Sequence, residues 1–268
     1  MTKNTVKYIA YALLSITVIV GTCFYISLNK NQKKQISDSD RISFGYYRQG
    51  INLAKEREYK EAIKFFDKSI ALTPNNKHPY ISKAGTLDEL KKYTEAINVY
   101  NQALAIDNKD YLIFLNKCVS LLNLERYEEA LDTCNRGIKL TKKEPILYNN
   151  KGAALGALNR YKEAIDSYNT AIELKPNYLE PHANKACPLY NIGRYEEAIE
   201  TCDKVVSLDP KYHRIGQIYS IKAKALDKLE RYKEAIIAAN KALELNPQDP
   251  VAMEAREHAE SKIKDRWI

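Results

Sequence analysis

Three asparagines, Asn116, Asn150 and Asn184, recur 34 residues apart, with Ser82 in the same register one interval earlier. A carboxamide carries both a donor and an acceptor, so it can pair with the N–H and C=O of any peptide group whatever side chain that group bears. Groups suited to covalent chemistry show no such order. The four histidines (His78, His182, His213, His258) are scattered, with no nucleophile or carboxylate pattern beside them. The sequence holds no glycine-rich phosphate loop, no H-E-x-x-H and no G-x-S-x-G. No C-x-x-C pair is spaced for a metal, and neither a cofactor nor a small-molecule substrate is indicated. These residues describe a binding protein rather than an enzyme.

The elements that must position the asparagines are legible from a second series. Tyr59, Tyr93, Tyr127, Tyr161 and Tyr195 stand 34 residues apart and Tyr232 follows after 37, each with an alanine three residues on (Ala62, Ala96, Ala130, Ala164, Ala198, Ala235). A constant period of this length marks stacked supersecondary units. Only nine glycines and nine prolines occur, no run alternates like a strand, and apolar residues fall at helical spacing. In residues 145–178, Tyr148, Leu155 and Leu158 recur near one face of a first helix and Asn159-Arg160 interrupt it. Ala164, Ile165, Tyr168, Ala171 and Ile172 then line a second helix, which ends before Pro176 because proline cannot continue the hydrogen-bonded ladder. The unit is a helical hairpin, and the chain is all-α.

These units resemble tetratricopeptide repeats. Tyr148, Gly152, Tyr161, Ala164, Tyr168, Ala171 and Pro176 follow the family pattern, as do Tyr46, Gly50, Tyr59, Ala62, Phe66 and Pro74, with Ser69 in place of an alanine. Elsewhere Cys134, Cys202 and Ala239 replace the second-helix aromatic, and Asn108 and Lys142 the closing proline. The resemblance covers residues 43–249 as six units (43–76, 77–110, 111–144, 145–178, 179–212, 216–249) and implies a right-handed α-solenoid. Residues 250–268, with Val251, Ala255, Ala259, Ile263 and Trp267 four apart, resemble the family's terminal capping helix. Two departures stand out: His213-Arg214-Ile215 lengthen one junction, and Pro188 sits within a first helix, where a kink is expected.

The resemblance also implies a role for the asparagines. Their place lies on the first helix and faces the concave groove, where similar ladders in some relatives hold the main chain of an extended peptide. The candidate groove residues are Asn116, Asn149, Asn150, Asn184, Leu115, Val119 and Tyr190, with Leu112, Ile146, Ala153 and Ala183 as further wall. Relatives that hold chaperone tails add Lys and Arg beside the asparagines; here Leu115, Leu112, Ile146, Asn149, Ala183 and Glu180 occupy those places, so that carboxylate clamp is disfavoured. Lys83, Lys117, Lys151, Lys185 and Lys222 follow the series and are expected to lay their stems over apolar surface with the charge in water. The expected partner is a protein, bound through an extended peptide segment; the alternatives are an assembly scaffold using the convex face or repeat edges, or a regulatory subunit of an enzyme.

The amino-terminal region is separate. Residues 8–28 hold no charge and are long enough to cross a bilayer as a helix, longer than a signal-peptide core, with a basic tail (1–7) before and a polar linker (29–42) after. The expectation is a single-pass protein, anchored in a bacterial inner membrane, with the side facing the repeats left open by near-equal flanking charge. Residues 1–42 supply +4 of the net charge of +8, and acids closely follow the bases in the repeats, so no nucleic-acid stripe is indicated. Cys118, Cys134, Cys187 and Cys202 are read as helical core positions. Cys118 and Cys134 fall in facing helices and can pair, but reduced thiols are the preferred reading.

Overall fold

The computed structural model describes residues 37–265, and these form thirteen helices and no strand. They belong to two compact units, divided after Thr141. The first unit holds α1 (Asp38–Lys55), α2 (Tyr59–Leu72), α3 (Lys77–Glu89), α4 (Tyr93–Ile106), α5 (Tyr111–Asn123) and α6 (Tyr127–Leu140). The second holds α7 (Pro145–Ala157), α8 (Tyr161–Leu174), α9 (Leu179–Asn191), α10 (Tyr195–Leu208), α11 (Ile215–Lys228), α12 (Tyr232–Leu245) and α13 (Pro250–Asp265).

Local chemistry sets the helix ends. Side chains of Ser37, Asn76, Asp110 and Glu144 accept backbone N–H groups at the starts of α1, α3, α5 and α7, satisfying donors that have no partner inside the helix. At the other end, each first helix closes with one residue at positive φ: Arg57, Lys91, Glu125, Asn159, Gly193 and Glu230. Around Asn159, the Asn159 N–H reaches Gly156 O and the Arg160 N–H reaches Leu155 O, each at 3.1 Å or less. The same pair of bonds recurs at the other five turns, a left-handed C-cap that stops one helix and launches the next within three residues.

Packing follows the chain. Within each unit, consecutive helices pack on one another, and the first helices also touch in sequence, α1 with α3 with α5 in one unit and α7 with α9 with α11 in the other. The first helices therefore form one face of each unit. The alanines three residues after the period-setting tyrosines are fully buried, which lets paired helices approach closely. Phe66 and Tyr168 lie against Gly50 and Gly152, where a Cβ would meet the ring at 2.6 Å. Complete burial of such rings contributes roughly 1.5–3 kcal/mol each.

Helix α13 closes the second unit on α11 and α12 through Ala252, Ala255 and Ala259, with Ile263 partly buried. Asp249 accepts the Val251 N–H at 2.9 Å and the Ser220 hydroxyl at 2.7 Å, so one carboxylate both starts α13 and ties it to α11. Trp267 lies outside the described residues.

Several expectations change. The 8–28 stretch lies outside the described residues, and among the described residues no helix is long and apolar enough to cross a membrane; on that finding the membrane location expected from the sequence is corrected. Helix α1 begins at Asp38, inside the expected 29–42 linker, because Ser37 caps it and Asp38 and Asp40 sit favourably at its positive end. Cys118 and Cys134 are joined as a disulfide across α5 and α6, with Cα atoms 5.8 Å apart, in place of the reduced pair. Cys187 is exposed rather than in the core; the buried face of α9 runs through Ala183, Ala186 and Leu189.

Candidate functional site

In the second unit, Asn149 and Asn150 lie on α7 and Asn184 on α9, brought side by side by first-helix packing. Asn184 Nδ2 donates to Asn149 Oδ1 at 3.1 Å, and Asn149 Nδ2 donates to Asn150 Oδ1 at 3.4 Å. Asn149 and Asn150 are buried, at 4% and 3% exposure, whereas Asn184 is half-buried. The three amides thus form a directed chain. Its far end is unpaired: Asn150 Nδ2 is buried without a hydrogen-bond partner. A buried donor left unpaired costs about 1–3 kcal/mol.

The near end of the chain was not legible from the series. Arg214 Nη1 donates to Asn184 Oδ1 at 2.7 Å, while its Nε donates to Gln217 Oε1 at 3.0 Å. Arg214 belongs to the three residues that stretch one interval from 34 to 37, and that broken period is the signal that could have found it. The cation beside the asparagines comes from the junction before α11, not from the helix positions where the sequence was searched.

Tyr190, the fourth candidate in this unit, is half-buried on α9, with its ring 5.4 Å from that of Tyr195 and Lys224 Nζ 5.4 Å from its centre. Cys187 lies between Asn184 and Tyr190 along the helix; burial raises its thiol, while Asn191, Lys224 and Arg214 pull the other way. Pro188 is buried within α9, which continues to Asn191.

In the first unit, Leu115 is 1% and Asn116 6% exposed, and Val119 is half-buried, all on α5. Asn116 Oδ1 is buried without a partner, the acceptor counterpart of the free donor on Asn150. Ser82, the equivalent on α3, meets the Tyr47 hydroxyl at 3.4 Å. A second group here escaped the sequence reading. Asp88 on α3 accepts from Ser120 on α5 at 2.7 Å and from Tyr100 on α4 at 2.9 Å. Burial pushes its carboxyl up to about 7, against the lowering effect of those two hydrogen bonds.

Four of the five lysines in the series make fixed contacts between helices. Lys83 reaches Asp67 at 2.6 Å, Lys117 reaches Asn101 at 2.8 Å, Lys185 reaches Asn169 at 3.1 Å, and Lys222 reaches Asp203. Each ties a first helix back to the second helix before it, so the charge meets a fixed acceptor as well as water. Burial lowers the ammonium groups of Lys117 and Lys185, whose acceptors are neutral amides.

Family models described as tetratricopeptide repeat match residues 145–178, 179–212 and 216–249. A model for anaphase-promoting complex, cyclosome, subunit 3 matches residues 55–137. No curated protein matches the sequence. Among solved structures, YrrB, described as a TPR protein with an unusual peptide-binding site, is 23% identical over 72% of this chain and 97% of its own, with a TM-score of 0.61. Residues 41 to the end of MamA from Desulfovibrio magneticus RS-1 are 17% identical over 66% of this chain and 99% of their own, at 0.61. PilF of Pseudomonas aeruginosa is 17% identical over 81% of this chain and 98% of its own, at 0.69. At these identities the likeness establishes the fold.

Proposed function

Because this chain carries tetratricopeptide repeats, we propose that it is a non-catalytic protein-interaction module that holds an extended peptide segment of a partner against its first-helix faces. The observation that supports this reading most is the pair of unspent amide groups, Nδ2 of Asn150 and Oδ1 of Asn116, each buried without a partner in its own unit. A folded protein rarely leaves such groups unmet. A peptide main chain supplies an acceptor for the first and a donor for the second at every residue. The amide chain from Asn184 through Asn149 fixes the Asn150 carboxamide with its donor free, so part of the ordering cost of binding is met before the peptide arrives.

Selection of random 12-residue peptides on the full chain tests this. Selected peptides should lose about tenfold or more in affinity for Asn150→Ala, the worth of one or two hydrogen bonds. Selected peptides indifferent to Asn150→Ala and to Tyr190→Ala would remove the groove from the account and favour the scaffold reading.

A further inference from the structure

The face of α9 in the second unit presents Asn184, Cys187 and Tyr190, and cations of α11 and its cap surround it. Arg214 touches Asn184. Lys224 lies over Tyr190, and Lys228 acts on the same ring's hydroxyl. Arg214 and Lys224 both act on the Cys187 thiol. None of the three forms an ion pair with a described residue. Of the acids nearby, Asp227 meets His258 at 2.7 Å, Glu180 faces Tyr212 and His213, and Glu254 acts on the Tyr190 hydroxyl against Lys228. Arg214, Lys224 and Lys228 outnumber Glu254 here, which leaves the face with donors and positive charge in surplus.

From this we infer that the segment held by the second unit is acidic, with one carboxylate on the Arg214 guanidinium and another at Lys224 and Lys228. The inference rests on the peptide-holding reading above. Arg214, just before α11, and Lys224 within it are ten residues apart, which is about 15 Å along a helix. An extended chain covers that distance in roughly four or five residues at about 3.3 Å each. The two carboxylates therefore belong four or five residues apart. Arg214 suits the first, because its planar fork can engage a carboxylate with two N–H groups. Lys224 and Lys228, as flexible point charges, suit the less exact second place. The middle of the segment would lie over Cys187, which stands between Asn184 and Tyr190 on α9.

The test uses the full chain and two fluorescein-labelled pools of 12-residue peptides, randomised except at positions 4 and 8. One pool carries Glu there and its twin carries Gln. The Glu pool should bind about tenfold more tightly, the difference of one charge-assisted hydrogen bond, and added salt should narrow the gap. Arg214→Gln and Lys224→Gln should each cut the Glu advantage several-fold. Lys162→Gln, the same charge change at an exposed position of α8, should leave it intact. The Arg214 side chain also ties Asn184 to Gln217, so Lys224→Gln keeps the test decisive if the first variant unfolds. The Glu pool should also slow alkylation of the exposed Cys187, read by mass spectrometry at that residue. Equal binding of the two pools, still lost on Asn150→Ala, overturns the acidic assignment and leaves the peptide reading standing. Failure of both pools overturns both. A dT12 oligonucleotide bound more tightly than the Glu pool overturns the choice of an acidic peptide as ligand.

Discussion

Gly152 and the ring of Tyr168 share a single space: a Cβ on Gly152 would stand 2.6 Å from Tyr168 Cε1. The absence of a side chain on α7 is thus what lets α8 bring its aromatic against α7's backbone. Glycine in a helix costs up to about 1 kcal/mol in propensity, and overpacking a tight core costs about 1–3 kcal/mol. Gly152→Ala is therefore expected to destabilise, the clash outweighing the propensity gain. Gly85 sits in α3 with only the Tyr100 hydroxyl near its open side, at 3.9 Å, so Gly85→Ala should stabilise by up to about 1 kcal/mol. Urea midpoints of the two variants, moving in opposite directions, check both.

The turns between paired helices give a second contrast. Gly193 has φ +78°, a region that costs an L-residue about 1–2 kcal/mol. Gly193→Ala should lower stability by about 1 kcal/mol, with no cavity or lost contact involved, since nothing lies within 4 Å of the added Cβ. Lys91, at φ +60°, already carries that strain, and Lys91→Gly relieves it while widening the unfolded ensemble. The expected change for Lys91→Gly is small and stabilising, below about 1 kcal/mol, in thermal denaturation.

Asp88 makes stability depend on pH. Its folded carboxyl titrates at about 7, above its unfolded value of 3.8, so the folded state holds a proton that the unfolded state has lost between those limits. The contribution of Asp88 is fullest below pH 4 and falls as pH rises towards 7, by at most about 1.4 kcal/mol per unit, levelling off above. Asp88→Asn keeps an acceptor for Tyr100 or Ser120 and removes the titration. Unfolding free energies across pH 4–8 should therefore slope less in the variant than in the parent chain. Identical slopes would show that Asp88 stays charged throughout.

The Cys118–Cys134 disulfide closes a loop with a sequence separation of 16 and staples α5 to α6. Breaking a loop of that length removes about 3 kcal/mol of constraint on the unfolded chain. Reductant should lower the urea midpoint of the parent chain and have no further effect on the Cys118→Ala, Cys134→Ala double variant. Mass spectrometry of the alkylated chain gives the pairing directly.

The helical hairpins could be read from the tyrosine and alanine series because a repeat states its core positions several times over. Position along the chain also sufficed to put Asn149, Asn150 and Asn184 on neighbouring first helices, since successive first helices touch. What was hidden depends on side-chain direction or on a broken register. Arg214 reaches Asn184 from 30 residues away, through an insertion that the period itself excludes. Asp88 occupies an ordinary polar position until Ser120 and Tyr100 enclose it. Cys187 was expected in the core with the other cysteines, yet it stands one residue past the buried Ala186, and one residue turns a helix by about 100°, enough to bring it to the surface. The charge-free 8–28 run is long and apolar enough for a span, a combination that no described helix shows.

Photo-crosslinking tests the central claim most directly, with a probe at Asn149 or Tyr190 in the full chain, in cells, and Asn150→Ala as the matched control. The account predicts a discrete protein adduct from these positions that disappears in the control. Adducts only from exposed second-helix positions such as Lys162, with none from Asn149 or Tyr190, would contradict it.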